Sequence, residues 1–196
     1  RQMCIRDSHK RSGHGLMNLK SGLANSCNTF FYNYAFYIGG DKIYNAASSL
    51  NFGKAFDICE GLSVSAGSLP QKESLSNIAY LANFSIGQGE LLTSPVAMLN
   101  LYCAAAYDGS YSIPSVVKGT LKDGKTEPYE KGGRIRIMSE STAAVLREYL
   151  AAVIEEGTGA SARPETVSAA GKTATAQTGK FQNGTEICEG WFCGFF

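Results

Sequence analysis

The chain has 196 residues, 44% apolar, 11% aromatic and 18% charged, with 18 basic against 17 acidic side chains and a net charge of +1. That is the make-up of one globular domain or part of one. The balanced charge excludes the basic footprint of a nucleic-acid binder and an acidic tail.

No apolar run approaches the roughly 18 residues of a membrane span, and no signal-peptide pattern is visible. Both histidines, His9 and His14, fall in the first 14 residues. This disfavours a HExxH zinc site, a His-rich metal site or a chymotrypsin-type triad in the body of the chain, and no metal or other cofactor is expected. The cysteines, at 4, 27, 59, 103, 188 and 193, form no CxxC pair and are too sparse for a disulfide scaffold. Cys27 and Cys103 sit in apolar, helical contexts and read as small buried hydrophobes.

In chain order, residues 1–8 read as no element and look like translated adaptor or vector sequence. They are set aside as a non-native segment, with 9–196 taken as the domain. The chain ends on Trp191-Phe-Cys-Gly-Phe-Phe196, an apolar strand-like run, so the sequence reads as a fragment cut at both ends. A helical pattern covers 18–38, with Asn18 as cap and Gly39-Gly40 as stop. Phe30, Phe31, Tyr34, Ala35 and Ile38 form a stripe expected to be buried. The polar break at 25–28 splits this stretch into two helices. Asp41 is expected to cap a short helix to about Leu50. Residues 51–77 are Gly- and Ser-rich and read as mostly irregular. Ser94-Pro95 starts a helix to about Tyr107, ended by Asp108-Gly109.

Strands are expected over 112–118 and 134–138, with Asp123-Gly124 as a turn between them. Ser139 caps an amphipathic helix over 140–156, with Leu146, Leu150, Val153 and Ile154 on one face, ending at Gly157-Thr158-Gly159. Strands then cover 167–178 and 190–196 around a turn at Asn183-Gly184. Helices followed by strands wrapped around one more helix indicate an α+β fold with an antiparallel sheet.

Gly119-Thr-Leu-Lys-Asp-Gly-Lys125-Thr126 fits the P-loop consensus. A P-loop needs a helix N-terminus behind it to hold phosphate, and Glu127-Pro128-Tyr129 with Gly132-Gly133 cannot supply one. The stretch reads as a hairpin turn, and an ATPase acting through Lys125 is set aside. Ser26-Cys27-Asn28 and Lys172-Thr173-Ala174-Thr175 are weak signals singly. Ser49-Leu-Asn51 shows that Ser-x-Asn arises by chance, Ser26 alone reads as a helix cap, and Lys172 alone as a solvated strand lysine.

Their company changes that. Gly13-His14-Gly15 precedes Ser26-Cys-Asn-Thr-Phe-Phe-Tyr32, then Asn51-Phe-Gly-Lys54, which stands in place of Phe-Gly-x-Gly. Ser85-Ile-Gly-Gln-Gly-Glu90 follows with Thr93-Ser94-Pro95, Gly157-Thr158-Gly159, Ala170-Gly-Lys-Thr-Ala-Thr-Ala-Gln177 and Trp191-Phe192. In this order the pieces resemble the transpeptidase domain of class B penicillin-binding proteins, most closely the elongation type, and the resemblance runs from Gly13 to Phe196. It implies the fold shared with serine β-lactamases, an antiparallel sheet flanked by helices, here incomplete. Residues 9–196 are then a partial transpeptidase domain.

The family carries three motifs: Ser-x-x-Lys, Ser-x-Asn and Lys-Thr-Gly. Ser26 and Asn28 match the second, Lys172 and Thr173 the third, with Ala174 where Gly is usual. The first is expected before Ser26 and is absent there. The Ser-x-x-Lys at Ser115-Val-Val-Lys118 falls after Ser-x-Asn on an expected strand and is rejected, so no nucleophile is assigned in this chain. The resemblance implies D,D-transpeptidation of peptidoglycan stem peptides ending in D-Ala-D-Ala through a serine acyl-enzyme.

In that chemistry Ser26 passes a proton toward the leaving amine and Lys172 supplies positive potential. Thr173 and Thr175 bind the substrate carboxylate. The N–H of Thr175 is an oxyanion donor, and Asn28 holds the substrate amide. Ala174 crowds the cleft modestly. Gly87, Gln88 and Gly89 shape a loop beside the cleft, or form a structural Gly-rich turn. β-Lactams and a glycosyltransferase are the other implied partners. The place is the outer face of the cell membrane, reached through an N-terminal anchor outside this sequence. The competing readings are a non-catalytic or β-lactam-sensing module and a serine β-lactamase. Asn28 argues against the class D enzymes, which carry valine there.

Overall fold

Asn18 opens the first helix as expected. Its side chain accepts from the Ser21 N–H at 2.8 Å, and its own N–H donates to the Ser21 hydroxyl at 2.9 Å, a reciprocal cap on α1 (Leu19–Ala24). The computed structural model describes residues 2–4, 14–128 and 132–196, the first three by backbone alone. The break at 25–28 separates α1 from α2 (Asn28–Ile38), and Gly39, at φ 87°, ends α2. Of the expected buried stripe on α2, Phe30 and Ala35 are buried, Phe31 and Ile38 are half-buried, and Tyr34, 38% exposed, stacks on Phe30 at 6.0 Å. Asp41 does not cap α3 (Gly40–Ser49). Gly39 holds that position, and Asp41 lies in the first turn, paired with Lys72 at 3.3 Å.

Several elements depart from the sequence reading. Gln2–Cys4 forms a strand, β1, antiparallel to β2 (Gly15–Met17), where no element was expected. The adaptor-like reading of 1–8 otherwise falls on residues outside those described. The stretch 51–77 is not wholly irregular. It holds a hairpin of β3 (Phe56–Cys59) and β4 (Leu62–Val64), then a 3-10 turn at Lys72–Ser76. The next helix, α4 (Ile78–Ser85), had no counterpart in the expected elements. Asn77 caps it by accepting from the Ala79 N–H. The strand expected over 112–118 ends at its first residue. β5 (Ser110–Ser112) pairs with β8 (Arg134–Arg136), and 113–118 is irregular. Pro114 interrupts that run and has no N–H to give a sheet.

The remaining signals form near where they are expected, although the strand expected over 134–138 stops at Arg136 and those expected over 167–178 and 190–196 run over Ala170–Gln182 and Thr185–Phe195. Ser94 caps α5 (Pro95–Ala106), and Ser139 caps α6 (Glu140–Glu155). The P-loop-like stretch is the hairpin of β6 (Gly119–Lys122) and β7 (Lys125–Pro128). Asp123 and Gly124 turn it at φ 50° and 74°, the left-handed values a tight two-residue turn requires. The longest pairing joins β9 (Ala170–Gln182) to β10 (Thr185–Phe195) through Asn183-Gly184, again at positive φ. Every pairing among the described residues is antiparallel, and helices pack beside the strands, so the class is α+β.

The core that positions the site lies where α5 and α6 meet the start of β9. Ala105, Leu150 and Ala170 are buried together there, with Tyr102, Leu146 and Phe195 packed around them. A second cluster of Met17, Cys27 and Phe30 fixes the α1–α2 corner. Cys27 is more than the small hydrophobe expected: it is fully buried and disulfide-bonded. Cys103 is half-buried and a free thiol. Among the described residues no helix is long and apolar enough to cross a membrane.

Candidate active site

The α1–α2 corner leaves the helical path at Ser26, whose backbone is left-handed at φ 50°. That conformation costs a non-glycine residue roughly 1–2 kcal/mol, which the surroundings must supply. They do so by packing. The Cys27 N–H reaches back to the Gly22 carbonyl at 3.0 Å, and Cys27 is sealed in the core. A Cβ on Gly22 would lie 2.7 Å from the Phe30 ring, so glycine is what lets the two helices close here. The corner turns the Ser26 hydroxyl outward, with Asn28 following as the first residue of α2.

Lys172 arrives from β9. Its ammonium donates to the Ser26 hydroxyl, across 146 residues of chain, and to the Thr173 carbonyl at 2.6 Å. Burial pushes the Lys172 ammonium below the usual lysine value. The Ser26 hydroxyl also lies 3.0 Å from that of Thr158, which in turn lies 3.1 Å from that of Thr173. Lys172, Ser26, Thr158 and Thr173 thus form one hydrogen-bonded chain drawn from three separate stretches of sequence.

These residues line a cleft of about 920 Å³. Ser26, Asn28, Lys172, Thr173, Ala174, Thr175, Gln88 and Gly89 all face it, so nearly every expected site residue converges. Gly87 does not line it; at φ 79° it serves the turn that carries Gln88. Gln88 reaches across to donate to the Thr175 carbonyl at 3.3 Å. Gln177 also borders the cleft and is held by Glu186 at 2.9 Å. Lys172 is the one charged side chain among the lining residues, which makes the cleft electropositive and suited to a carboxylate.

Sequence reasoning read Gly157-Thr158-Gly159 as a helix stop and as one piece of the resemblance. It gave Thr158 no role in the site, and only its position between two hydroxyls reveals one. Ser115, the rejected nucleophile, bonds locally to the Val117 carbonyl at 2.9 Å and lines no part of the cleft. No group of three or more His, Cys, Asp or Glu among the described residues is placed to hold a metal.

The family model described as penicillin binding protein transpeptidase domain matches residues 3–196. Peptidoglycan D,D-transpeptidase MrdA of Acinetobacter baumannii is 29% identical over 200 residues, covering 93% of this chain and 29% of its own length. Stage V sporulation protein D of Bacillus subtilis is 29% identical over 192 residues, covering 95% of this chain and 29% of its own. The chain therefore spans under a third of the curated relatives it matches. Among solved structures, penicillin binding protein 3 from Mycobacterium tuberculosis complexed with aztreonam superposes with a TM-score of 0.79 at 28% identity, over 92% of this chain and 43% of that one. A D,D-transpeptidase domain from Eggerthella lenta gives 0.79 at 23% identity over 99% of this chain and 49% of that one, a likeness of fold.

Proposed function

The chain belongs to the penicillin-binding protein transpeptidase family, and from that premise we propose that it forms the part of a peptidoglycan D,D-transpeptidase cleft that holds the donor stem peptide and manages the leaving-group proton. The observation that carries this reading is the hydrogen bond from Lys172 to Ser26. It joins the Ser-x-Asn and Lys-Thr-x pieces in one cleft, which neither piece predicts alone.

The donor ends in D-Ala-D-Ala. A serine supplied by sequence outside this chain attacks the penultimate carbonyl, forming an ester to that carbonyl carbon and breaking its bond to the terminal D-Ala nitrogen. Ser26 gives its proton to that departing nitrogen, and the proton released by the attacking serine replaces it through the lysine network. Lys172, the one cation among the described residues that line the cleft, attracts the terminal carboxylate, and the Thr173 and Thr175 hydroxyls bind it. Asn28 holds the donor amide, and the Thr175 N–H is one oxyanion donor. An amine from a neighbouring stem peptide then displaces the serine and completes the cross-link.

β-Lactams are proposed as ligands of the same cleft. The aztreonam and ampicillin complexes of the similar Mycobacterium tuberculosis protein support this. The substrate places the reaction on the outer face of the cell membrane, with a glycosyltransferase as the working partner.

The test uses a diacyl-L-Lys-D-Ala-D-Ala peptide and the isolated chain, followed by NMR. The peptide is expected to shift the signals of Lys172, Thr173 and Thr175 saturably, and Lys172→Ala is expected to abolish the effect. Absence of saturable binding, or binding that survives in the variant, sinks the reading.

A further inference from the structure

We propose that Thr158 is a positioning residue: its hydroxyl fixes the order of protons along Lys172, Ser26, Thr158 and Thr173, so that Thr173 presents its O–H to the cleft as a donor for an anionic ligand. The anion's identity as a peptide carboxylate rests on the function proposed above; the proton order does not.

Lys172 is the one member of the hydrogen-bonded chain with no choice of role. An ammonium donates and never accepts, so the Ser26 oxygen must accept from Lys172. The Ser26 proton then turns away from the positive charge, toward the Thr158 oxygen at 3.0 Å. Having accepted there, Thr158 directs its own proton to the Thr173 oxygen at 3.1 Å. Thr173 is left with a proton to spare. Each donation strengthens the next acceptor, so the influence of the cation is carried to a hydroxyl it does not touch.

Thr158 can act this way because it is anchored independently of the cleft. Its N–H donates to the Ala24 carbonyl at 2.9 Å, and it sits on the turn after α6. Tyr32 is the other titratable group lining the cleft, and Cys193 stands opposite Lys172 on β10 with its thiol pushed up by burial and therefore neutral at pH 7.

The opposite proton order is the alternative to exclude. There Thr173 donates to Thr158, and Thr158 to Ser26. The two orders predict opposite signs for one measurement on the ligand-free chain, the Lys172 titration followed by ¹³C NMR of its ε-carbon. If Ser26 donates to Thr158, Thr158→Val leaves Ser26 a poorer acceptor, and the Lys172 midpoint moves to lower pH. If Thr158 donates to Ser26, the same variant frees a lone pair, and the midpoint rises. We expect the fall, with Thr158→Ser restoring the wild-type value. A rise, or no change, overturns the proposal. Thr158 is exposed, so valine fits; Thr158→Ala replaces it should the turn be disturbed.

A second measurement tests the consequence. An acyl-D-Ala-D-Ala peptide and its C-terminal amide are titrated against the wild type, Thr158→Val and Thr158→Ser. Loss of one oriented hydrogen bond is expected to weaken the carboxylate form about five- to tenfold in Thr158→Val. The amide is unaffected, and the serine variant matches the wild type. An equal loss for both peptides overturns the role assigned to Thr158. If the wild type binds neither, the transpeptidase reading has failed, and the lysine titration still decides the proton order.

Discussion

The N–H of Thr158 donates to the carbonyl of Ala24 at 2.9 Å, which ties the turn after α6 to the end of α1. Ser26 lies two residues beyond that carbonyl. The bond therefore sets how far the Ser26 hydroxyl stands from Thr158 and from the lysine on β9. Strand β9 is held in turn by its packing on α5 and α6 through Ala105, Leu150 and Ala170. Two halves of the cleft remote in sequence are thus brought into register by one backbone contact and one patch of core.

Gly157 is the residue on which that contact depends. A Cβ there would lie 2.2 Å from the Ala24 carbonyl oxygen and 2.9 Å from that of Val153, both backbone atoms with little freedom to retreat. Gly157→Ala is expected to lower unfolding stability by about 1–3 kcal/mol and to separate Ser26 from Thr158. Gly190→Ala, with nothing within 4 Å of its added Cβ, is the matched control. It is expected to stay within about 0.5 kcal/mol of wild type. Denaturant unfolding of both variants decides the matter, and equal stabilities would refute the contact's importance.

Much of this was legible in the sequence, because local signals coincide with local chemistry. Asn18, Ser94-Pro95 and Ser139 start helices since each side chain satisfies an N–H that the first turn leaves open. Asp123-Gly124 and Asn183-Gly184 turn hairpins since both pairs tolerate positive φ. The missed helix α4 carried such a signal in Asn77, overshadowed by the Gly- and Ser-rich stretch before it. The false strand at 113–118 shows the opposite failure. Ile113, Val116 and Val117 have strand propensity, but Pro114 and the lack of a partner strand override it. Ser26, Asn28 and Lys172 are singled out by the order of their motifs, and all three line the cleft. Thr158 was not, because its place depends on the Ala24 contact, which no spacing in the sequence encodes.

Asp108 clamps the end of α5 to the β5–β8 pair. It accepts from the Ser110 hydroxyl at 2.6 Å, from Arg134 at 3.0 Å and from Arg136 at 3.1 Å. The Ser110 hydroxyl above all, with the Ser110 N–H and the two guanidiniums, holds its carboxyl down at about 2, against 3.8 for an ordinary aspartate. A carboxylate whose folded value is depressed stabilises the fold above its unfolded value and loses that contribution as pH falls toward the folded one. Asp108→Asn is therefore expected to melt below wild type at pH 7. The gap should hold down to about pH 4 and close toward pH 2. A gap independent of pH would show that the carboxylate's charge is not what the clamp uses.

Lys172 runs the other way. Burial holds its ammonium below the usual 10.5, so the unfolded chain binds the proton more tightly than the folded one. The charged, half-buried lysine is a liability at neutral pH, and the fold gains stability as pH rises from the depressed value to about 10.5. Lys172→Met is expected to unfold at higher denaturant than wild type at pH 7, with the difference narrowing toward pH 10.5, while peptide binding is lost. If wild type instead loses stability against the variant over that range, the bonds to Ser26 and Thr173 outweigh the burial.

Gln88 spans from its loop to strand β9. Its side-chain N–H occupies the Thr175 carbonyl at 3.3 Å, on the part of β9 that borders the cleft. An extended peptide lying along that strand would offer its own N–H to the same carbonyl, as added strands do. Gln88 must then withdraw before the peptide can bind there. Its loop permits this, since Gly87 and Gly89 flank it at φ 79° and 81° and it is anchored by the turn rather than by core packing. Gln88→Ala is expected to bind the acyl-D-Ala-D-Ala peptide about two- to fivefold more tightly, the value of one modest hydrogen bond no longer in competition. Gln88→Glu is expected to bind it more weakly than Gln88→Ala, because its carboxylate would repel the peptide's own carboxylate. Weaker binding by Gln88→Ala would mean that Gln88 holds the peptide itself, and that its bond to Thr175 is a resting place between ligands.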